Sequence, residues 1–207
     1  MKKILVMIIA LTMTICFASC GEETTEDSVE NETTEAKATI NMDDQKIDGS
    51  DAKALMDAVS KSKDVEWEKA GFTDIGESLY LGEYRITEEG SSLSTVKVTA
   101  DITAGKKDVI WDAEIKQLDS DGDYDIFYDA VEAVKNDAIE NEKVKEWLDE
   151  NINESPAEGE WHSVEMQSGD ATYELAILGS QFQGNYNKDI TLTIKGVGYD
   201  SYIEDKV

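Results

Sequence analysis

Four aspartates, Asp119, Asp121, Asp123 and Asp125, alternate across one short stretch around Gly122, the most suggestive spacing for chemistry in this sequence. Hard cations such as calcium take several oxygen ligands, and a loop that wraps the ion carries acids at its first, third and fifth positions. The four residues are therefore candidate Ca2+ ligands. The EF-hand pattern also wants glycine at position 6 and a bidentate glutamate at position 12, where this chain has Tyr124 and Ala130. Asp129 or Glu132 could reach back only in another geometry. The plainer reading is a solvated Asp-Gly turn between a strand and a helix, with Asp123 or Asp125 as the helix cap.

Other candidates carry weaker signals. His162 is the sole histidine and lies in a strand-like segment, where packing is the commoner role. The acid pairs Glu88-Glu89 and Glu158 with Glu160 could serve general acid/base work on a glycan, but 46 acidic residues make accidental pairs certain. The chain has no glycine-rich phosphate loop, nucleophile elbow or zinc spacing. The stretch Gly179 to Lys188 reads as a polar loop in which Phe182, Asn185 and Tyr186 are candidate ligand contacts, since aromatic and amide side chains suit sugars and peptides. An ordinary long hairpin loop is the alternative.

Composition narrows the field. The chain carries 19 Lys plus Arg against 46 Asp plus Glu, a net charge of −27. Such a field repels phosphate backbones and anionic lipid headgroups, which argues against nucleic-acid binding, and it steers cations and basic partners inward. Cys16 and Cys20 are the only cysteines. With one histidine and no further thiol, the rest of the chain suits carboxylate sites for hard cations, not soft-metal sites.

The N-terminus bears an address. Lys2 and Lys3 precede an apolar run from Ile4 to Ile15, and small residues then lead to Phe17-Ala18-Ser19-Cys20. The run is shorter than the roughly 20 residues a bilayer-spanning helix needs, and the layout is that of a cleaved secretory signal. Its last four residues resemble the lipobox of bacterial lipoprotein signals, with Phe17 where that pattern usually has Leu. The resemblance implies cleavage before Cys20, diacylglycerol on the Cys20 thiol, and anchoring on the outer face of the bacterial cytoplasmic membrane. Two acyl chains suffice for stable anchoring where one does not. Removing Lys2 and Lys3 with the leader leaves 17 basic against 46 acidic residues, a net charge of −29.

Domain organisation follows as 1–19 signal peptide, 20–46 lipidated cysteine and disordered acidic tether, and 47–207 a single domain. The tether lacks the apolar side chains that would offset the entropy of ordering it. Taken as a flexible coil, it holds the domain about 25–30 Å from the anchor.

Within the domain, Ser50 is positioned to cap a first helix that ends near Lys63, with Leu55, Met56 and Val59 on its apolar side. Trp67, Phe72 and Ile75 read as a loop pinned by aromatics. Alternation marks three strands through Tyr80–Ile86, Val96–Ile102 and Val109–Ile115, with hairpin breaks at Glu88–Ser92 and Ala104–Lys107. From Asp125 to Ile152, a step of about 100° per residue puts Ile126, Phe127, Ala130, Val131, Val134, Ala138, Val144, Leu148 and Ile152 on one face, about 140° wide. This predicts one long helix, with Ile139 and Trp147 off the stripe and Pro156 past its end. Three more strands follow, through Trp161–Met166, Tyr173–Ile177 and Ile190–Ile194, so a helix followed by three strands occurs twice.

The expected fold is α+β, an antiparallel sheet of about six strands covered by one long amphipathic helix and one shorter helix. The expected function is that of a surface-exposed, membrane-anchored lipoprotein whose domain binds a protein, peptide or glycan ligand and is not an enzyme. A calcium-binding extracellular module and a carboxylate-pair hydrolase are the alternatives.

Overall fold

A computed structural model describes residues 45–76, 79–87, 95–103, 107–119, 123–182 and 184–199, all within one compact unit, Thr39–Val207. The leader, Cys20, the tether to residue 44, the Glu88-Glu89 pair, Asp121 and most of both expected hairpin breaks lie outside the described residues.

Alternating apolar residues line up across strands and build the core. The strands are β1 (Glu68–Gly76), β2 (Leu79–Thr87), β3 (Thr95–Asp101), β4 (Val109–Asp119), β5 (Trp161–Ser168), β6 (Ala171–Phe182) and β7 (Asn185–Gly196). They form one antiparallel sheet in the order β1-β2-β3-β4-β7-β6-β5. One row runs Tyr84, Val98, Ala113, Ile194, Tyr173, Met166, each opposite the next. The next row runs Ile86, Val96, Ile115, Leu192, Leu175, Val164. From β2 to β6 every member of both rows is buried, and each large aliphatic among them contributes about 1.5–3 kcal/mol of transfer free energy.

Three short helices cover this face. In α1 (Ala52–Lys63) the N-cap is Asp51, whose carboxylate accepts from the Lys53 and Ala54 amides. Ser50, expected to be the cap, is instead buried; its Oγ donates to the Ile47 carbonyl at 2.6 Å and accepts from the Ile110 amide at 2.9 Å, tying the entry segment to β4. Leu55, Met56 and Val59 are buried as expected, and α1 lies on β2 and β3. α2 is Asp125–Ala133 and α3 is Asn141–Asn151; α3 lies on β5 and β6. Among the described residues no helix is long and apolar enough to cross a membrane.

The expectation of about six strands under one long helix is thus corrected. Among the described residues strands hold about twice as many residues as helices, and no long amphipathic helix covers the sheet. The 125–152 stretch breaks after Ala133: Val134 leaves with extended dihedrals, and the Asn136 side-chain oxygen accepts from the Ala138 and Ile139 amides, a local turn that competes with helix. Both pieces bury apolar residues against the same sheet, which is why one periodicity ran through the break. Ala138, assigned to the apolar stripe, is exposed, while Ile139 and Trp147, placed off it, pack against the core. Lys135 and Lys145 hydrogen-bond Glu132, bringing its carboxyl down to about 2 and linking α2 to α3.

The seventh strand is β1, where a loop was expected. Its apolar residues do not alternate because it is an edge strand with two register shifts, at Lys69/Gly71 and Asp74/Gly76. Phe72 is exposed, whereas Trp67 packs edge-on against Tyr84 at 5.6 Å. A register shift between Thr99 and Ala100 likewise interrupts β4: Ile110 joins the helical core, and Trp111 packs with Leu81 in a separate cluster.

The topology carries an internal symmetry. α1-β2-β3-β4 and α3-β5-β6-β7 are each a helix followed by an antiparallel meander, and they meet where β4 pairs antiparallel with β7. Each helix lies on the first two strands of its own meander. Among the described residues β1 has no counterpart in the second half.

Candidate functional site

Of the four candidate aspartates, Asp121 lies outside the described residues. Asp119 ends β4 opposite Lys188, and Asp123 and Asp125 are exposed at the start of α2. The Asp123 carboxylate accepts from the Asp125 amide at 3.2 Å, and the Asp123 carbonyl accepts from Gln117 Nε2 at 2.5 Å. Those are the contacts of a turn entering a helix. Among the described residues no three His, Cys, Asp or Glu side chains group as metal ligands.

The expected polar loop at Gly179 to Lys188 is instead the end of a β-ribbon. β6 continues to Phe182 and β7 begins at Asn185, directly opposite it, with Gly184 in the turn at φ +83°. Backbone pairing holds the polar side chains in register, which a composition-based reading treats as loop. Asn185 is exposed at the tip. Tyr186 is committed: its hydroxyl donates to the Pro156 carbonyl at 2.8 Å and braces the α3–β5 connection. His162 faces the helical side opposite Ile177, and Glu158 and Glu160 are exposed ahead of β5.

The opposite face of the sheet holds a concavity lined by described residues of five strands. Because side chains alternate across a strand, the residues between the core rows point to a face on which none of the described helices lies, hereafter the helix-free face. There a groove of about 410 Å3 is lined by Thr95 of β3, Lys116 and Leu118 of β4, Asp189 and Thr191 of β7, Leu178 of β6 and Trp161 of β5; Gln117 and Ile190, whose side chains turn to the helical side, also border it. It crosses five neighbouring strands. At about 4.8 Å per strand it is about 19 Å long.

Register places the groove's parts. Leu118 stands opposite Asp189, Asp189 opposite Leu178, and Leu178 opposite Trp161, giving one row of leucine, carboxylate, leucine and indole. Trp161 is 63% exposed. An indole kept in water at the edge of a sheet has forgone the burial that aromatic side chains usually contribute. Lys116 is paired with Glu114 at 2.9 Å, so its charge is met within the sheet face. Asp189 is exposed and has no ionic or hydrogen-bonding side-chain partner among the described residues.

A second polar constellation serves the fold. On the helical side the Tyr84 hydroxyl donates to Asp108, and Lys53 Nζ lies 3.0 Å from the same carboxylate. Burial pushes the Asp108 carboxyl up, but the Tyr84 hydroxyl and the Lys53 ammonium outweigh it and hold the group below its ordinary value. Burial and this hydrogen bond push the Tyr84 phenol upward. The cluster joins α1, β2 and the start of β4, and its groups are satisfied by one another.

The chain matches no protein-family model, no curated protein and no solved structure. The groove's own chemistry is two leucines, an exposed indole, two threonine hydroxyls, a lysine paired with Glu114 and a carboxylate with no side-chain partner among the described residues. Sequence reasoning missed these residues. The available signal was an aromatic, Trp161, beginning a strand on the parity opposite to the apolar one; the pairing that brings it beside Leu178, Asp189 and Leu118 is not local.

Proposed function

We propose that this protein is a membrane-anchored bacterial lipoprotein whose extracytoplasmic domain works by binding, with the helix-free face of its sheet as the binding surface. The observation that carries the reading is the groove crossing β3, β4, β7, β6 and β5, in which Leu118, Leu178 and the exposed Trp161 supply apolar surface beside a few polar groups. Ligand sites are concave and mostly apolar with a few placed polar groups, and aromatic anchors dominate contact energetics. The lipobox-type leader ending at Cys20 supports the anchor, and an acidic tether would hold the groove clear of the lipid surface.

A photo-crosslinking amino acid placed at Ser163, next to Trp161 on the helix-free face, is expected to trap a discrete adduct on intact cells. The same group at Glu146, on the exposed side of α3, is not, and Trp161→Ala is expected to reduce the Ser163 adduct. Equal crosslinking from both faces, or none from Ser163, would sink the assignment. Cys20→Ala is expected to release the protein from membranes or leave it unprocessed; unchanged membrane fractionation counts against the anchor.

A further inference from the structure

We infer that the groove takes an extended peptide segment in which a lysine or arginine is flanked by apolar residues, with Asp189 receiving the cation. This rests on the helix-free face being the binding surface and adds what kind of ligand it selects.

Three observations converge on that class. The row Leu118, Asp189, Leu178 sets a carboxylate between two leucines in direct cross-strand register, so its complement is a cation between two apolar groups. Asp189 is the one carboxylate among the groove-lining residues, and no side chain in the described structure neutralises it. Lys116, which would compete for it, is engaged by Glu114. Trp161 closes the row with an exposed indole face, against which a cationic or apolar side chain packs favourably. The length of about 19 Å accommodates about six extended residues at about 3.3 Å each. The chain's net charge of −27 adds a long-range field that steers cationic partners toward it and disfavours acidic ones.

That field also draws in cations non-specifically, so the test has to separate site from field. The full chain, purified in non-ionic detergent, is titrated with a fluorescein-labelled peptide Leu-Ala-Arg-Ala-Leu-Gly, in which the leucines share the arginine's face of an extended chain, at physiological salt, where surface fields are screened within about 8 Å. Anisotropy reads binding, and the peptide with Glu in place of Arg is the comparison. The Arg peptide is expected to bind saturably and the Glu peptide not to bind. Asp189→Asn and Trp161→Ala are each expected to weaken the Arg peptide roughly fivefold, the size of one partly exposed ionic or stacking contact. Glu146→Gln removes the same charge from the helical side and is expected to leave binding unchanged. Equal weakening by Glu146→Gln and Asp189→Asn would overturn the site in favour of a general field effect, as would equal binding of both peptides. If the Arg peptide does not bind while Ser163 still gives its adduct on cells, the cationic-peptide inference fails and the helix-free binding face stands; loss of both overturns both.

Discussion

Lys188 Nζ, buried on the helical side of β7, lies 3.2 Å from the carbonyl oxygen of Ile152, the residue that caps α3. The same ammonium donates to the Glu154 carbonyl at 3.3 Å and sits 5.3 Å from the centre of the Tyr124 ring. The last carbonyls of a helix lack intrahelical partners and carry its negative dipole end. A strand residue thus terminates a helix remote from it in sequence. Lys188→Met keeps most of the stem and removes the donors, and is expected to cost about 1–3 kcal/mol in urea unfolding. An unchanged midpoint would show that water serves these carbonyls equally well.

Gly179 is required by a close approach. A Cβ there would lie 2.3 Å from the carbonyl oxygens of Pro156 and Ala157, both backbone atoms. The 156–160 segment crosses β6 at this point, held by the Gly159 amide on the Gly179 carbonyl and the Gly179 amide on the Glu160 carbonyl. Gly179→Ala is expected to destabilise by about 1–3 kcal/mol. Gly71→Ala, with nothing within 4 Å of its Cβ position, is the matched control and should be neutral or slightly stabilising. Equal melting temperatures for the two variants would refute the packing argument.

Val134 is fully buried where α2 ends. A carboxylate there has to be desolvated or force the helix off the sheet. Val134→Asp is expected to cost more than about 4 kcal/mol and to abolish cooperative unfolding followed by circular dichroism. A folded variant with a near-native midpoint would mean that this corner is open to water.

Asp108 makes stability depend on acid. Its carboxyl is held below its ordinary value of 3.8, so its contribution is fully present above that value and is lost as pH falls through the lower folded value. Urea unfolding of the parent chain and Asp108→Asn is expected to give a stability gap that is constant near neutrality and narrows below about pH 4. A gap that stays constant into the acid range would show that the Tyr84 and Lys53 contacts do not favour the ionised form.

How much was legible in advance is clearest in particular elements. α1 could be read because Leu55, Met56 and Val59 declare a helical face over a single local segment, although its cap proved to be Asp51 and not Ser50. The core strands could be read because Val96 and Val98, or Leu192 and Ile194, alternate without interruption. β1 could not, since an edge strand with two register shifts loses the period that reveals it. The break between α2 and α3 was hidden for the opposite reason: both helices bury one face on the same sheet, so their periods join across Asn136.

The sequence by itself determined the anchor-like leader as an expectation, the excess of acid, and which side chains turn inward in the regularly alternating strand segments, β1 and the start of β4 excepted, because these are properties of short stretches of chain. Tertiary structure alone decided that β7 lies beside β4, that three helices share one face, and that Trp161, Leu178, Asp189 and Leu118 form a row. Strand order is chosen by pairing free energy between distant segments and by the burial of a whole face at once. No local period records that choice, and the groove exists only as its consequence.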